Sequence, residues 1–263
     1  MYLCFMNIIS DFKYGKILYN TNDYYMGTCI SEYGEYCDKE ISLINTLIKK
    51  GDVILDIGSN IGLMTIPFSK MVGITGKVIS YEPQPEIYRI LCGNIAINNL
   101  NNVEANNLAV GDSVDPIFLP NIDYTKSNNF GGVQLTKNGE RKVTQIRLDE
   151  IHFDKLNLMK IDVETMELNV LNGAKNTLKT HRPILYVEND RREYSKNLLK
   201  FLFDENYNCY WHISNLFELD NYKKNNINVF DLNYICVNVL AIPSEINFNI
   251  NLKKITSIDD WFK

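Results

Sequence analysis

Short, nearly unbroken apolar runs recur along the chain with helical patterns between them, and this alternation leaves few architectures open. Strands are predicted at 53–57, 77–82, 103–110, 158–163, 183–188, 209–213 and 234–242, and helices at 62–71, 86–98, 166–180 and 194–205. Strands that are apolar on both sides need cover on both sides, which intervening helices supply when the strands run parallel. The expected class is therefore α/β, with a mostly parallel seven-stranded sheet. No convincing helix separates the last two strands, so they are expected to pair antiparallel, joined by the polar "SNLFELDNYKKNNINVFDLN". Between Gly111 and Glu150 the rhythm breaks into runs such as "KVTQIRL". They read as an inserted β-hairpin near the carboxyl ends of the strands, where open sheets bind ligands.

Residues 1–50 are expected to form an N-terminal hairpin ("KILYNTNDYYMGTCI") and a helix, serving as a lid or sheet extension, with residues 51–263 as the main domain. In "DKEISLINTLIKKG" the residues Ile41, Ile44, Leu47 and Ile48 fall at helical spacing, with Lys49 and Lys50 at the end and Gly51 as the stop. At 263 residues and 45% hydrophobic, one substantial core is expected. No run approaches the roughly 18 apolar residues of a spanning helix. The opening "MYLCFMNIISDFK" has no basic start and no small-residue cleavage pattern. A cytoplasmic protein with no membrane partner is the expectation. The formal net charge is -5 and like charges run only in pairs such as Lys49-Lys50, which disfavours a nucleic-acid groove. The cysteines Cys4, Cys29, Cys37, Cys92, Cys209 and Cys236 are dispersed without a C-x-x-C pair, and are expected as reduced, interior thiols.

The first strand runs into a glycine-rich turn, "VILDIGSNIG". A dinucleotide fingerprint puts a glycine where Asp56 stands, so that backbone can approach a pyrophosphate. A carboxylate there would face like charge, whereas it suits a ligand with an ammonium and a sulfonium and no phosphate. S-adenosylmethionine is such a ligand. Gly58 and Gly62 would let its methionine end lie against backbone, with Ser59 and Asn60 in the same turn. At the next strand end, "SYEPQ" supplies Glu82, suited to both ribose hydroxyls, followed by Pro83. Asn107 and Leu108, in "NNLAVGD", are placed near the adenine.

Further acids gather in "LMKIDVETMELNVLNGAKNTLKTHRPILYVEN". A strand delivers Lys160, Asp162 and Glu164, and the following strand ends in Glu188 and Asn189. Glu167 reads as a helix N-terminal charge. In these stretches the sequence resembles the FkbM-type methyltransferases, a family of class I adenosylmethionine-dependent O-methyltransferases, with "VILDIGSNIG", "YEPQPEIY" and "MKIDVETMELNVLNGA" followed by "RPILYVE" as its most specific parts. The resemblance implies a Rossmann-like fold and methyl transfer to a hydroxyl, often of a sugar, glycan or other natural product. The family's usual glycine after the acid ending the K-I-D-V-E run is replaced by Thr165, which is expected to cap the helix from Met166. An amine-directed D/N-P-P-Y run is absent, with "DVET" in its place.

Methyl transfer to oxygen is an in-line displacement in which positioning supplies much of the rate and a base takes the hydroxyl proton. Asp162, also counted with the cofactor residues, is the first candidate, then Glu188. Of the histidines, His152 and His181 read as surface or capping residues and His212 is kept as a catalytic candidate beside its role as a core residue. No metal is expected. Asp162, Glu188 and Asn189 are nonetheless hard oxygen donors at adjacent strand ends and form the candidate Mg²⁺ set. Tyr33 and Glu35, with Glu164 and Asn189, are the candidate acceptor contacts, and the acceptor is expected to be a small molecule or glycan. A catalytically silent cofactor-binding protein and a nicotinamide-dependent oxidoreductase are the competing readings, Asp56 opposing the latter.

Overall fold

The computed structural model describes residues 7–230 and 234–262. Cys4 lies outside the described residues. The central sheet contains β1 (Val53–Ile57), β2 (Lys77–Tyr81), β3 (Val103–Asn106), β4 (Leu158–Ile161), β5 (Ile184–Glu188), β6 (Tyr207–Asn215), β7 (Ile235–Pro243) and β8 (Lys253–Lys254). Its spatial order is β8-β6-β7-β5-β4-β1-β2-β3. The pairs among β1 to β5 are parallel, while β7 runs antiparallel to both β5 and β6. Seven strands thus follow the expected plan, and a two-residue eighth, β8, extends it at the outer edge beside β6. β7 occupies an interior position because seven of its nine residues are buried, a pattern that an edge strand would leave half exposed.

The helices are α1 (Met26–Glu32), α2 (Asp38–Asn45), α3 (Thr65–Val72), α4 (Pro85–Ile97), α5 (Glu167–Asn172), α6 (Lys175–His181) and α7 (Arg192–Asp204). The single helix expected at 166–180 is divided into α5 and α6. At the break, a Cβ on Gly173 would meet the Gly111 carbonyl oxygen at 1.9 Å, so the backbone of the insertion passes directly over this point. The strand expected at 103–110 also divides. Ala109–Val110 leaves the sheet to pair with Gln145–Ile146, while Ile117–Leu119 and Arg141–Val143 form the antiparallel pair of the insertion. The N-terminal hairpin is made by Asn7–Phe12 and Gly15–Asn20, earlier than expected, and α1 fills the rest of that stretch after the Asp23 carboxylate accepts the Met26 N–H at 3.1 Å. α2 stops at Asn45 instead of reaching Gly51, with the Thr46 hydroxyl donating to the Leu43 carbonyl at 2.7 Å.

Strand alternation sorts the core into two layers. Leu55, Ile57, Met159, Ile161, Leu185 and Val187 face α5 and α7, while Ile54, Val78, Leu158, Tyr186 and Leu240 face α2 and α3. The N-terminal hairpin is clamped to α4 by Asn94, whose amide accepts the Leu18 N–H and donates to the carbonyls of Leu18 and Ile61. The carboxyl ends of β1, β2, β4 and β5 consequently open toward one region, roofed by α1, the segment before α2 and the insertion.

Candidate functional site

A cavity of about 310 Å³ lies at these strand ends. It brings together Gly58, Ser59, Asn60, Glu82, Pro83, Leu108, Asp162, Glu164 and Glu188 from the sequence-predicted set. Asp56 and Gly62 lie beneath the turn and do not line the cavity. The reason is sidedness: in β1, Asp56 shares a face with Ile54, pointing toward α3. Its carboxylate is fully buried, accepts the Thr65 hydroxyl at 2.5 Å and faces the Lys160 ammonium at 3.8 Å. Burial pushes this carboxyl up and Lys160 pulls it down. Asp56 therefore braces the turn from below, which corrects the expectation that it meets the ligand directly.

The turn itself is pinned from two sides. The N–H groups of Gly58 and Ser59 both donate to the Tyr81 carbonyl at 3.0 Å, and the Ser59 hydroxyl donates to the Asp56 carbonyl at 2.6 Å. Gly58 has φ +77°, and Asn60 follows in the left-handed region at φ 49°. Glu82, buried at the end of β2, accepts the Asn60 N–H at 2.9 Å on one carboxylate oxygen and the Gln84 N–H at 2.8 Å on the other. Each oxygen keeps lone-pair capacity for a hydroxyl donor from the cavity. Burial pushes the Glu82 carboxyl up to about 7 even though both backbone bonds pull it down.

A proton held more tightly in the folded state stabilises below the unfolded pKa, and that contribution fades as pH rises through the folded value. For Glu82 the window lies between its ordinary 4.5 and about 7. Glu82→Gln should therefore flatten the decline in stability across that window, a difference of up to about 3 kcal/mol at pH 8 by denaturant unfolding of the ligand-free protein. The same variant should bind a diol-bearing nucleoside ligand at least about tenfold more weakly by calorimetry, because an ionised hydrogen-bond acceptor has become neutral.

The other half of the cavity is charged. Lys160, buried in β4, reaches the Asp162 carboxylate at 3.1 Å and donates to the Gly58 carbonyl at 3.0 Å. Desolvation lowers the Lys160 ammonium, but Asp162 and Asp56 outweigh it and hold it above the ordinary lysine range. Arg191 pairs with Glu164. Burial pushes the Glu164 carboxyl up to about 7, aided by Asp162 and opposed by Arg191. Glu188 is raised well above the usual carboxyl range by burial and then by the charges of Asp162 and Glu164. Asp162, Glu164 and Glu188 offer carboxylate oxygens within 4.8 Å of one another, so Glu164 stands where Asn189 was expected in the metal-type set. Lys160 and Arg191 already supply two positive charges against these acids.

Thr165 has φ +82°, a region that a β-branched residue enters only under strain. It does not cap α5, whose N-terminus has no side-chain cap. The Glu167 carboxylate instead holds the turn before the helix, accepting the N–H groups of Val163 at 3.1 Å and Thr165 at 3.2 Å. Thr165→Gly should stabilise the protein by about 1 kcal/mol in thermal or urea unfolding, the relieved strain exceeding the added entropy of the unfolded glycine.

Several candidates do not reach the cavity. Tyr33 is fully buried and its hydroxyl accepts the Val229 N–H at 2.9 Å. Glu35 accepts the Tyr222 N–H at 2.9 Å and pairs with Lys13 at 3.3 Å, so both residues fasten the roof to the 216–230 segment. Asn107 turns back to the carbonyls of Glu82 and Pro83. Asn189 donates to the hydroxyl of Ser195, in the first turn of α7, at 2.9 Å. His212 is a core residue, bonded to the Tyr186 hydroxyl at 2.7 Å, and burial lowers its pKa. Sequence reasoning left unassigned the wall made by Tyr25, Tyr36, Cys37, Glu40, Tyr234 and Cys236. Lys160 carried a signal, as a charge inside an apolar strand.

The donor set fits a ligand with a ribose-type diol at Glu82, a compact end against the glycine turn and a cationic centre toward Asp162 and Glu188. The family model "Methyltransferase FkbM domain" matches residues 56–209. The curated "Methyltransferase sdnD" of Sordaria araneosa is 26% identical over 156 residues, which cover 46% of this chain and 60% of that protein, so the chain spans less than two thirds of that relative. A solved precorrin-6y C5,15-methyltransferase from Geobacter metallireducens GS-15 shares 12% identity over 78% of this chain and 87% of its own, with a TM-score of 0.52. A solved SAM-dependent O-methyltransferase from Thermotoga maritima shares 14% identity over 92% of this chain and 80% of its own, with a TM-score of 0.50. These likenesses show the Rossmann-like class I methyltransferase fold. With the family model matching more than half of its length, the chain belongs to the FkbM methyltransferase family.

Proposed function

We propose that the protein transfers a methyl group from S-adenosylmethionine to a hydroxyl of a small-molecule or glycan acceptor, in the cytoplasm. The observation that carries the reading is the cavity's division into a nucleoside half, made by the 58–60 turn, Glu82 and Leu108, and an acidic half, made by Asp162, Glu164 and Glu188. Glu82 would hold the ribose hydroxyls, the turn would accommodate the methionine end, and Asp162 would face its positive charge. When bound, adenosylmethionine supplies an electrophilic methyl on a sulfonium. The chain's own residues place the acceptor oxygen and receive its proton. Asp162 is already paired with Lys160, which leaves Glu188 as the better proton acceptor: a carboxyl held above its usual range is a stronger base once ionised. Turnover should then rise with pH through the range above ordinary glutamates, and Glu188→Gln should lower kcat by at least about a hundredfold. Chelation with EDTA should leave turnover unchanged, because Lys160 and Arg191 compensate the acids.

Calorimetric titration with S-adenosylhomocysteine, with NAD as control, tests the cofactor half. Binding of the former alone supports the reading, and binding of NAD alone overturns it. Acceptor screening by mass spectrometry, seeking one added methyl group on sugars and polyols, tests the transfer. Cofactor binding without turnover on any such acceptor would favour a silent binding protein.

A further inference from the structure

Two cysteines distant in sequence meet in the cavity wall. The Cys37 sulfur, just before α2, lies 3.1 Å from that of Cys236 in β7, across 199 residues of chain. Both residues line the cavity; Cys37 is buried and Cys236 is partly exposed. We propose that Cys37 and Cys236 form a reversible disulfide, a modification site that ties the roof segment before α2 to the central sheet.

The spacing discriminates between the two chemistries that a thiol pair supports. Two thiolates on tetrahedral zinc, each about 2.3 Å from the metal, sit about 3.8 Å apart. The observed separation is tighter than that and about 1 Å from a disulfide bond length of about 2.05 Å. Glu40, the third group near the pair, accepts the Ser214 hydroxyl at 3.0 Å and also bonds with Cys236, and burial pushes its pKa up, against service as an anionic ligand. Roles within the pair also differ. For Cys236 the hydrogen bond with Cys37 pulls the thiol down, although burial and Glu40 leave it raised overall. Cys37 is raised well above its ordinary value by burial, with the bond to Cys236 acting in the same direction. Cys236 is the more accessible and more readily ionised thiol, and so the attacking one.

The oxidant is a low-molecular-weight disulfide admitted through the cavity. The Cys236 thiolate attacks one of its sulfurs, forming a mixed disulfide and releasing one small thiolate. Cys37 then gives its proton to solvent and attacks the Cys236 sulfur, releasing the second small thiolate. Two protein thiols are oxidised and one small disulfide is reduced to two thiols. Burial makes the reaction slow at neutral pH, so an alkaline incubation is the suitable condition.

The test uses the full chain, incubated with glutathione disulfide or with dithiothreitol and then digested without reduction. The expected result is a linked peptide pair containing Cys37 and Cys236, abolished by dithiothreitol, with a melting temperature about 5 °C above that of the reduced protein. Cys37→Ser should stop at a single glutathione adduct on Cys236, and Cys236→Ser should form neither adduct nor link at position 37. If a serine variant fails to fold, the peptide map of the unaltered chain still decides. Both thiols remaining alkylatable after oxidation, a link from either one to the neighbouring Cys29, or stoichiometric zinc protecting the pair would each overturn the proposal.

Discussion

Gly58→Ala should destabilise the protein by about 4 kcal/mol and abolish measurable cofactor binding, as followed by urea unfolding and calorimetry. A Cβ at this position would fall 1.7 Å from the Asp162 carbonyl oxygen, which belongs to backbone and has no rotamer with which to yield. The Asp162 N–H also donates to the Ile57 carbonyl at 3.1 Å, so β1 and β4 cannot separate locally without breaking their last shared bond. The positive φ of +77° adds backbone strain to the clash. Gly51→Ala provides the control: φ is +85° there, but the nearest atom to the new Cβ is the Thr75 hydroxyl oxygen at an ordinary 3.6 Å. A loss of about 1 kcal/mol is expected at Gly51. Equal losses at the two glycines would show that backbone strain alone, and not the approach of β4, fixes the turn.

Lys160→Met should cost about 3–5 kcal/mol, because it keeps the fully buried Asp56 carboxylate and the half-exposed Asp162 and removes the cation between them. Lys160 contacts Asp56, Asp162 and the Gly58 carbonyl, so the loss should extend from stability to the shape of the turn. Part of the deficit should return in the double variant Lys160→Met, Asp56→Asn, in which no uncompensated charge is left beneath the turn. Denaturant unfolding of the four proteins in this cycle gives the coupling directly. A single-variant loss below about 1 kcal/mol would mean that the ammonium is not the neutralising partner of Asp56.

The parallel core was legible because its strands are apolar on both sides, and "SYEPQ" alone locates the end of β2. The placement of Asp56 beneath the turn has a reason visible in its own strand, Val53–Ile57. Alternation in β1 puts Asp56 on the side of Ile54, and that sidedness turns its carboxylate away from the cavity where charge matching with a cationic ligand places it. The roof was not legible at all. Tyr33 finds Val229 at 196 residues' separation and Glu35 finds Tyr222 at 187, and no local periodicity encodes such partners. The same holds for Cys37 and Cys236. The division between α5 and α6 depends on a close backbone approach by the insertion, which a helical pattern in 166–180 cannot reveal.

The interior position of β7 also bears on how the chain is made. During synthesis from the N-terminus, β1 to β5 emerge with their helices and can pair with one another, but β5 presents an unpaired, apolar edge until 235–243 has left the ribosome. Such an edge is a template for pairing with another nascent chain. A nascent protein arrested after α7 should therefore depend on chaperone protection, whereas one extended past Pro243 should close its own sheet and become protease-resistant in a single late step.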